Sequence, residues 1–310
     1  MISPNDFKEK KIVVIDGFNQ SINDIKFNNG NIRLYKDGKY IDQITCFSVI
    51  SLLIIGEATL TTKIIDNCQK YGISIFFLNR SLKYYAEIMS KAEGNYLLRQ
   101  KQYQMTFDEC LKISQKIVEN KIQNQYKLID TKFNNFNDIN LCKNTSELLG
   151  IEGSCANIYF QTIFKEIGWY RRAPQTREDI PNLLLDIGYS FLFNYVDSLL
   201  KLFGFDTYKG IYHQLFFQRK SLSCDIMEPM RVLIDKQLIK LYHLKQIDEK
   251  DFIFRNGSYD FKKYEFSKKY RNIFLGVISQ NKEQIYKYIY EFYRYILNDK
   301  KYKFPIFKIC

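Results

Sequence analysis

Hydrophobic and polar positions follow two different rhythms along this 310-residue chain. In the first part, KIVVIDGF, VISLLIIG and SIFFLN are apolar runs of strand length, and NIRLYKDGKYIDQITC alternates on either side of Asp37-Gly38, as a hairpin with a two-residue turn should. Between the last two runs, ATLTTKIIDNCQKYG has helical spacing and a Gly stop. From about Gly94 the period changes. NYLLRQKQYQMTFDECLKISQKIVENKIQNQYKLI contains no Pro or Gly and repeats apolar residues every three to four positions, which predicts helix, and the remainder reads as helical too. PNLLLDIGYSFLFNYVDSLLKLFG is apolar on nearly all sides, as expected of a central helix, with Pro181 in its first turn and Gly204 at its end. These patterns predict an α+β protein: a small, mainly-β domain over residues 1–88, a linker at 89–95, and a larger all-α domain over 96–310.

Composition adds a core but little function. At 46% hydrophobic residues the chain can fill a core for each domain, and its 24 tyrosines serve equally as core fillers and as a stackable surface. Charge is more telling. The net charge is +12, and residues 1–88 hold 11 Lys/Arg against 9 Asp/Glu, so about +10 belongs to the helical part. Such a field suits a polyanion such as nucleic acid or an anionic membrane surface; the alternative is plain solubility in a Lys-rich composition. The seven cysteines include no CxxC pair and no matching His spacing, which argues against a zinc site or a disulfide framework and for buried thiols in a reducing cytosol. MISPNDFKEKK has no apolar signal region, and no stretch reaches the length of a membrane span, so a cytoplasmic protein without membrane attachment is expected.

Three stretches concentrate residues that carry chemistry. LLGIEGSCANIYF places Glu152 in an apolar neighbourhood, where a carboxylate must be paired, metal-bound, or stabilised by a helix dipole. GIYHQLFFQRKSLSCDIMEPMR contains His213, one of two histidines; the other, His243, reads as a helix-packing residue without a role. SLSCDIMEPMRVLID brings Asp225 and Glu228 onto one face of a helical turn, with Pro229 marking a helix start or kink and Arg231 placed to orient Glu228. A surface salt-bridge ladder is the competing reading. Carboxylates and an imidazole with open positions suit Mg²⁺ or Mn²⁺, the imidazole tilting the choice toward Mn²⁺. A small acidic pocket for a cation inside a basic domain is sensible for phosphodiester chemistry.

At these residues the sequence resembles the CRISPR-associated protein one family, the integrase of spacer acquisition. The likeness is carried by GIEG and then YF at Glu152 to Phe160, PN and then GYS at Pro181 to Ser190, GIYH at Gly210 to His213, and SLSCDIMEPMR at Ser221 to Arg231. It implies an N-terminal β-domain, a helical catalytic domain, and a metal held by Glu152, His213 and Glu228 with Asp225 as supporting carboxylate. It also implies a homodimer, a complex with the small CRISPR-associated protein two dimer, and a reaction on DNA. That reaction joins the 3′-hydroxyl ends of a prespacer duplex to the CRISPR repeat, with related nuclease activity. The sequence departs from the family pattern at VLID after Arg231 and at LLLDIGY, which leaves the subtype open. Candidate phosphate contacts are Arg99, Arg171, Arg172, Arg177, Arg219 and Lys220, each alternatively part of a solvated basic face. The dimer is expected to form through residues 1–88, which carry little net charge and no proposed ligand. Two other readings stand beside integration: a catalytically silent DNA-binding scaffold of the same fold, and a generic metal-dependent nuclease or phosphoesterase.

Overall fold

The computed structural model describes residues 10–17, 23–79, 84–88, 95–131, 136–167, 169–213, 219–298 and 301–309. The chain divides into two compact units: one runs to Gln100 and also takes in Asp197–Asp206, and the other comprises Lys101–Val196 and the chain from Thr207. Most of the expected linker, residues 89–94, lies outside the described residues.

The first unit contains β1 (Lys11–Asp16), β2 (Asp24–Asn28), β3 (Asn31–Lys36), β4 (Lys39–Thr45), β5 (Val49–Ile55), β6 (Thr59–Leu60), α1 (Thr62–Lys70), β7 (Ser74–Leu78) and β8 (Tyr84–Ile88). One sheet has the order β1-β5-β7-β8, with β1, β5 and β7 parallel and β8 antiparallel. Every residue of β5 is buried, so its sequence VISLLII is a continuous apolar run instead of an alternating one. The parallel step from β5 to β7 needs a crossover, and α1 supplies it. The second sheet has the order β4-β3-β2-β6. Its β3–β4 turn is the expected one: Asp37 and Gly38 have φ of 47° and 77°, the positive pair of a type I′ turn. At its edge, β4 exposes Tyr40 and Ile41.

The rest is mostly helical: α2 (Tyr96–Tyr103), α3 (Phe107–Leu128), α4 (Phe136–Leu141), α5 (Thr145–Ile163), α6 (Ile180–Phe203), α7 (Ser221–Met227), α8 (Val232–His243), α9 (Tyr264–Gln280) and α10 (Lys282–Leu297). The continuous helix expected after Gly94 is in fact two. Thr106 caps α3 by accepting from the Glu109 amide while the Glu109 side chain accepts from the Thr106 amide, a reciprocal capping box that starts a new helix. The all-α expectation is also corrected by a hairpin of β9 (Phe252–Arg255) and β10 (Ser258–Phe261), turned by Asn256-Gly257. The expectation that no stretch reaches the length of a membrane span is corrected by α6, which is long and apolar enough to cross one; its most apolar stretch is 83% buried, as in the core helix read from the sequence.

Helix α3 organises the second unit. Ile117, Val118 and Ile122 fill the core, while Asn120 and Asn124 use the same helix to grip irregular chain. Asn120 donates to the Phe307 carbonyl at 2.8 Å and accepts from the Phe307 amide at 2.8 Å; Asn124 donates to the carbonyls of Pro229 at 2.9 Å and Phe307 at 3.0 Å. Those bonds satisfy buried backbone groups of the Phe307 segment, and they dock the turn at Glu228 beside α3. Four of the six described cysteines sit on α-helices, and all six are free thiols. Burial pushes the Cys68 thiol up to about 12, which keeps it an inert core residue.

Candidate metal site

Glu152 lies in the middle of α5 and Glu228 begins the 3₁₀ turn between α7 and α8; both are buried. Two buried anions side by side require cations. The first is Lys121 of α3, whose ammonium contacts Glu152 Oε1 and lies 2.7 Å from Glu228 Oε2. The second is Arg231, whose Nε donates to Glu228 Oε1 at 3.0 Å, as the spacing of three residues suggested. Tyr212 donates its hydroxyl to Glu152 Oε2. Burial works against charge on Glu228, but Arg231 and Lys121 outweigh it and hold this carboxyl below the usual range. Burial likewise opposes the Lys121 charge, and Glu228 and Glu152 together raise its pKa.

Asp225 is fully buried on α7 and works on backbone. Oδ2 accepts from the amides of Ile211 at 2.7 Å and Tyr212 at 3.0 Å, and Oδ1 from the amide of His213 at 3.0 Å. The same Oδ1 lies 2.5 Å from His213 Nδ1. A carboxylate only accepts, so in the neutral ring Nδ1 carries the proton and Nε2 keeps its lone pair. Gly210 makes this packing possible: a Cβ there would come within 2.6 Å of Ser221 Cβ and 2.8 Å of the His213 carbonyl.

The structure therefore brings Glu152 and Glu228 together around Lys121, and ties His213 to Asp225. Among the described residues, no three His, Cys, Asp or Glu side chains form a ready-made cage. The carboxylate pair nevertheless fits a divalent cation. Both acids face one position already occupied by a positive group, the Lys121 ammonium, which contacts Glu152 Oε1 and lies 2.7 Å from Glu228 Oε2.

Behind this pair, Asp235 of α8 is fully buried and accepts from the hydroxyls of Tyr159, at 2.9 Å, and Tyr189. Burial pushes it up to about 6. The Arg231 guanidinium lies over the Tyr189 ring, 4.7 Å from its centre, so the residue that orients Glu228 is itself seated by the Asp235 cluster.

Of the basic residues singled out in the sequence, Arg171 is exposed and forms a two-bond pair with Glu178 at 3.1 Å per bond, and Arg219 is exposed just before α7. Arg99 donates to the Gly204 carbonyl at 3.0 Å, at the end of α6. Arg172 is largely buried, donating to Asn182 at 2.7 Å and Asp186 at 2.6 Å; Lys220 is buried as well. Arg177 is half-buried. His243 is corrected: it is exposed beside Glu166 instead of packed between helices. Lys121, Tyr212 and the two tyrosine partners of Asp235, Tyr159 and Tyr189, escaped the sequence reading. Lys121 had a signal, since it falls in register with Ile117, Val118 and Ile122 on an apolar helix face, where a lysine calls for buried anions.

Comparison with known proteins bears on the family and the fold. The family model for CRISPR associated protein Cas1 matches residues 19–279. A CRISPR-associated endonuclease Cas1 from Thermodesulfovibrio yellowstonii is 26% identical over 256 residues, covering 74% of this chain and 80% of the relative. A CAS1 protein from Thermotoga maritima shares the fold with a TM-score of 0.79 at 21% identity, covering 93% of this chain and 97% of that one. A casposase bound to an integration product shares it with a TM-score of 0.78 at 20% identity, covering 97% and 96%.

Proposed function

The chain belongs to the CRISPR associated protein Cas1 family, and on that premise we propose that it is a metal-dependent DNA integrase and endonuclease that inserts prespacer DNA into a CRISPR repeat. One observation carries the reading: two buried carboxylates from different elements, Glu152 and Glu228, face a single cation position in the part of the chain that carries the basic excess. The endonuclease name of the relative and the integration product bound by the fold neighbour support it.

Mg²⁺ or Mn²⁺ held by Glu152, Glu228 and His213 would act as a Lewis acid on the phosphate under attack. The protein's own groups set the stage. Arg231 and Tyr212 fix the two carboxylates, and Asp225 fixes the His213 ring with Nε2 available. Exposed Arg171 and Arg219 offer charge to the DNA backbone, whereas Arg172 and Lys220 serve the fold first. In strand transfer a 3′-hydroxyl oxygen bonds to a repeat phosphorus as the bond from that phosphorus to its own 3′-oxygen breaks. The attacking hydroxyl's proton is lost to solvent and the leaving oxygen regains one. One phosphodiester replaces another, so no nucleoside triphosphate is consumed. Water in place of the hydroxyl gives the nuclease reaction. A second copy and the CRISPR-associated protein two dimer are the proposed protein partners, the exposed β4 edge with Tyr40 and Ile41 being the proposed self-pairing surface.

The test is incubation of short duplex DNA and a repeat-bearing plasmid with the protein, with and without the partner, in Mn²⁺, Mg²⁺ or chelator. Joined product that requires the divalent ion supports the proposal. Equal product in chelator, or DNA binding without any product under every condition, contradicts it, the latter favouring the silent scaffold.

A further inference from the structure

We propose that Lys121 is a tethered competitor of the divalent ion: its ammonium fills the metal position of the metal-free protein, and the metal binds by displacing it. This rests on the reading of Glu152 and Glu228 as ligands. Lys121 projects from the apolar face of α3, its side chain only 12% exposed, and reaches one oxygen of each carboxylate. The other oxygens are already committed, Glu152 Oε2 to the Tyr212 hydroxyl and Glu228 Oε1 to Arg231. The two oxygens that remain for a metal are the two that the ammonium holds.

Charge makes displacement the favourable route. Glu152 and Glu228 contribute two negative charges, and Lys121 and Arg231 two positive ones, so the buried cluster is neutral as it stands. Adding a divalent ion beside a retained ammonium would leave two uncompensated positive charges in a place where even one is costly. Exchanging the ammonium for the ion halves that excess. The exchange is also sterically simple, because an ammonium on a flexible four-carbon stem can swing away while both carboxylates stay seated by Tyr212 and Arg231.

A competitor that occupies a site reduces apparent affinity by the fraction of time the site is free, so a site free a tenth of the time binds about tenfold more weakly. Electron paramagnetic resonance of free Mn²⁺, titrated into full-length protein without DNA, reads this directly. Lys121→Met should bind Mn²⁺ at least about tenfold more tightly than the original chain, and Lys121→Arg should stay within about threefold of it. In the unmodified protein, saturating Mn²⁺ should speed acetylation of Lys121 by an amine-reactive reagent, followed by mass spectrometry; this arm stands even if Lys121→Met does not fold. Equal or weaker Mn²⁺ binding by folded Lys121→Met, or acetylation of Lys121 unchanged by saturating Mn²⁺, overturns the proposal. Glu152→Gln and Glu228→Gln separate the two levels. If they lose Mn²⁺ while Lys121→Met behaves like the original chain, only the lysine assignment fails. If they keep it, the ligand reading fails and the lysine assignment with it.

Discussion

Glu228 and Asp235 stand seven residues apart, are both buried, and are joined through Arg231, yet they are driven in opposite directions. Glu228 has two cations against it and is held below the usual carboxylate range; Asp235 has two phenol hydroxyls and is pushed up to about 6. Burial alone does not decide whether an acid is charged. What decides is how directly cations meet the carboxylate: Lys121 and Arg231 touch Glu228, whereas Asp235 receives its hydrogen bonds from phenols and feels Arg231 and Arg172 only more weakly, across the Tyr189 ring. The two positions consequently suit different tasks: a charged carboxylate is ready for a cation, whereas one near neutrality at mildly acidic pH suits a packing network. Asp225 is a third case, spent on backbone amides and one imidazole.

The largest effect is expected at Glu228. Glu228→Ala strands the Arg231 cation in a buried site, and loss of one partner of such a pair costs about 3–5 kcal/mol, which a denaturant titration at neutral pH measures. A loss under about 1 kcal/mol would mean that the pairing contributes little. Asp225→Ala should come next, at about 3 kcal/mol, because three amides lose their acceptor, with about 10- to 100-fold slower strand transfer as the His213 ring loses its anchor. Stability unchanged in Asp225→Ala would show that loop 211–213 is held by something else.

The pH dependence separates the two acids. Asp235 is raised when folded, so between pH 4 and 6 the native state binds more protons than the unfolded chain, and its contribution to stability falls as pH rises through that window, by roughly 3 kcal/mol in all. Glu228 is lowered, so its contribution is complete above the ordinary glutamate value and is lost only as pH falls below it. Asp235→Asn should flatten stability between pH 4 and 6 and leave the more acidic limb intact, as read by thermal melts in chelator across pH 3–7. A slope that survives in Asp235→Asn would place the titrating group elsewhere. The smallest effect is expected for Tyr212→Phe, about 1.5 kcal/mol, since it removes one charge-assisted hydrogen bond and leaves Lys121 in place.

How much of this was legible in the sequence depended on range. Local patterns worked: the Asp37-Gly38 hairpin, the buried run of β5 and the long central α6 all follow from period and turn chemistry. Local patterns were also missed, since TFDE at Thr106 is a capping box and Asn256-Gly257 a hairpin turn, both overridden by a continuous helical period. The three acids of Asp225 to Asp235 were visible as a cluster, but their division of labour was not. It depends on Lys121, Tyr159 and Tyr189, which lie 46 to 107 positions from the acids they touch and reach them only through packing of α3, α5 and α6. The unit boundary posed the same difficulty, because Asp197–Asp206 group with the first unit despite lying far along the helical part.

On the reading proposed above, the converging carboxylates serve phosphodiester chemistry and not only packing. Strand transfer by Glu152→Ala, Glu228→Ala and His213→Ala, each first shown to be folded and to bind DNA at constant salt, tests this most directly. The expected result is joined product lost in all three while DNA affinity stays close to that of the original chain. Joined product at the original rate from a folded Glu152→Ala or Glu228→Ala protein would contradict it.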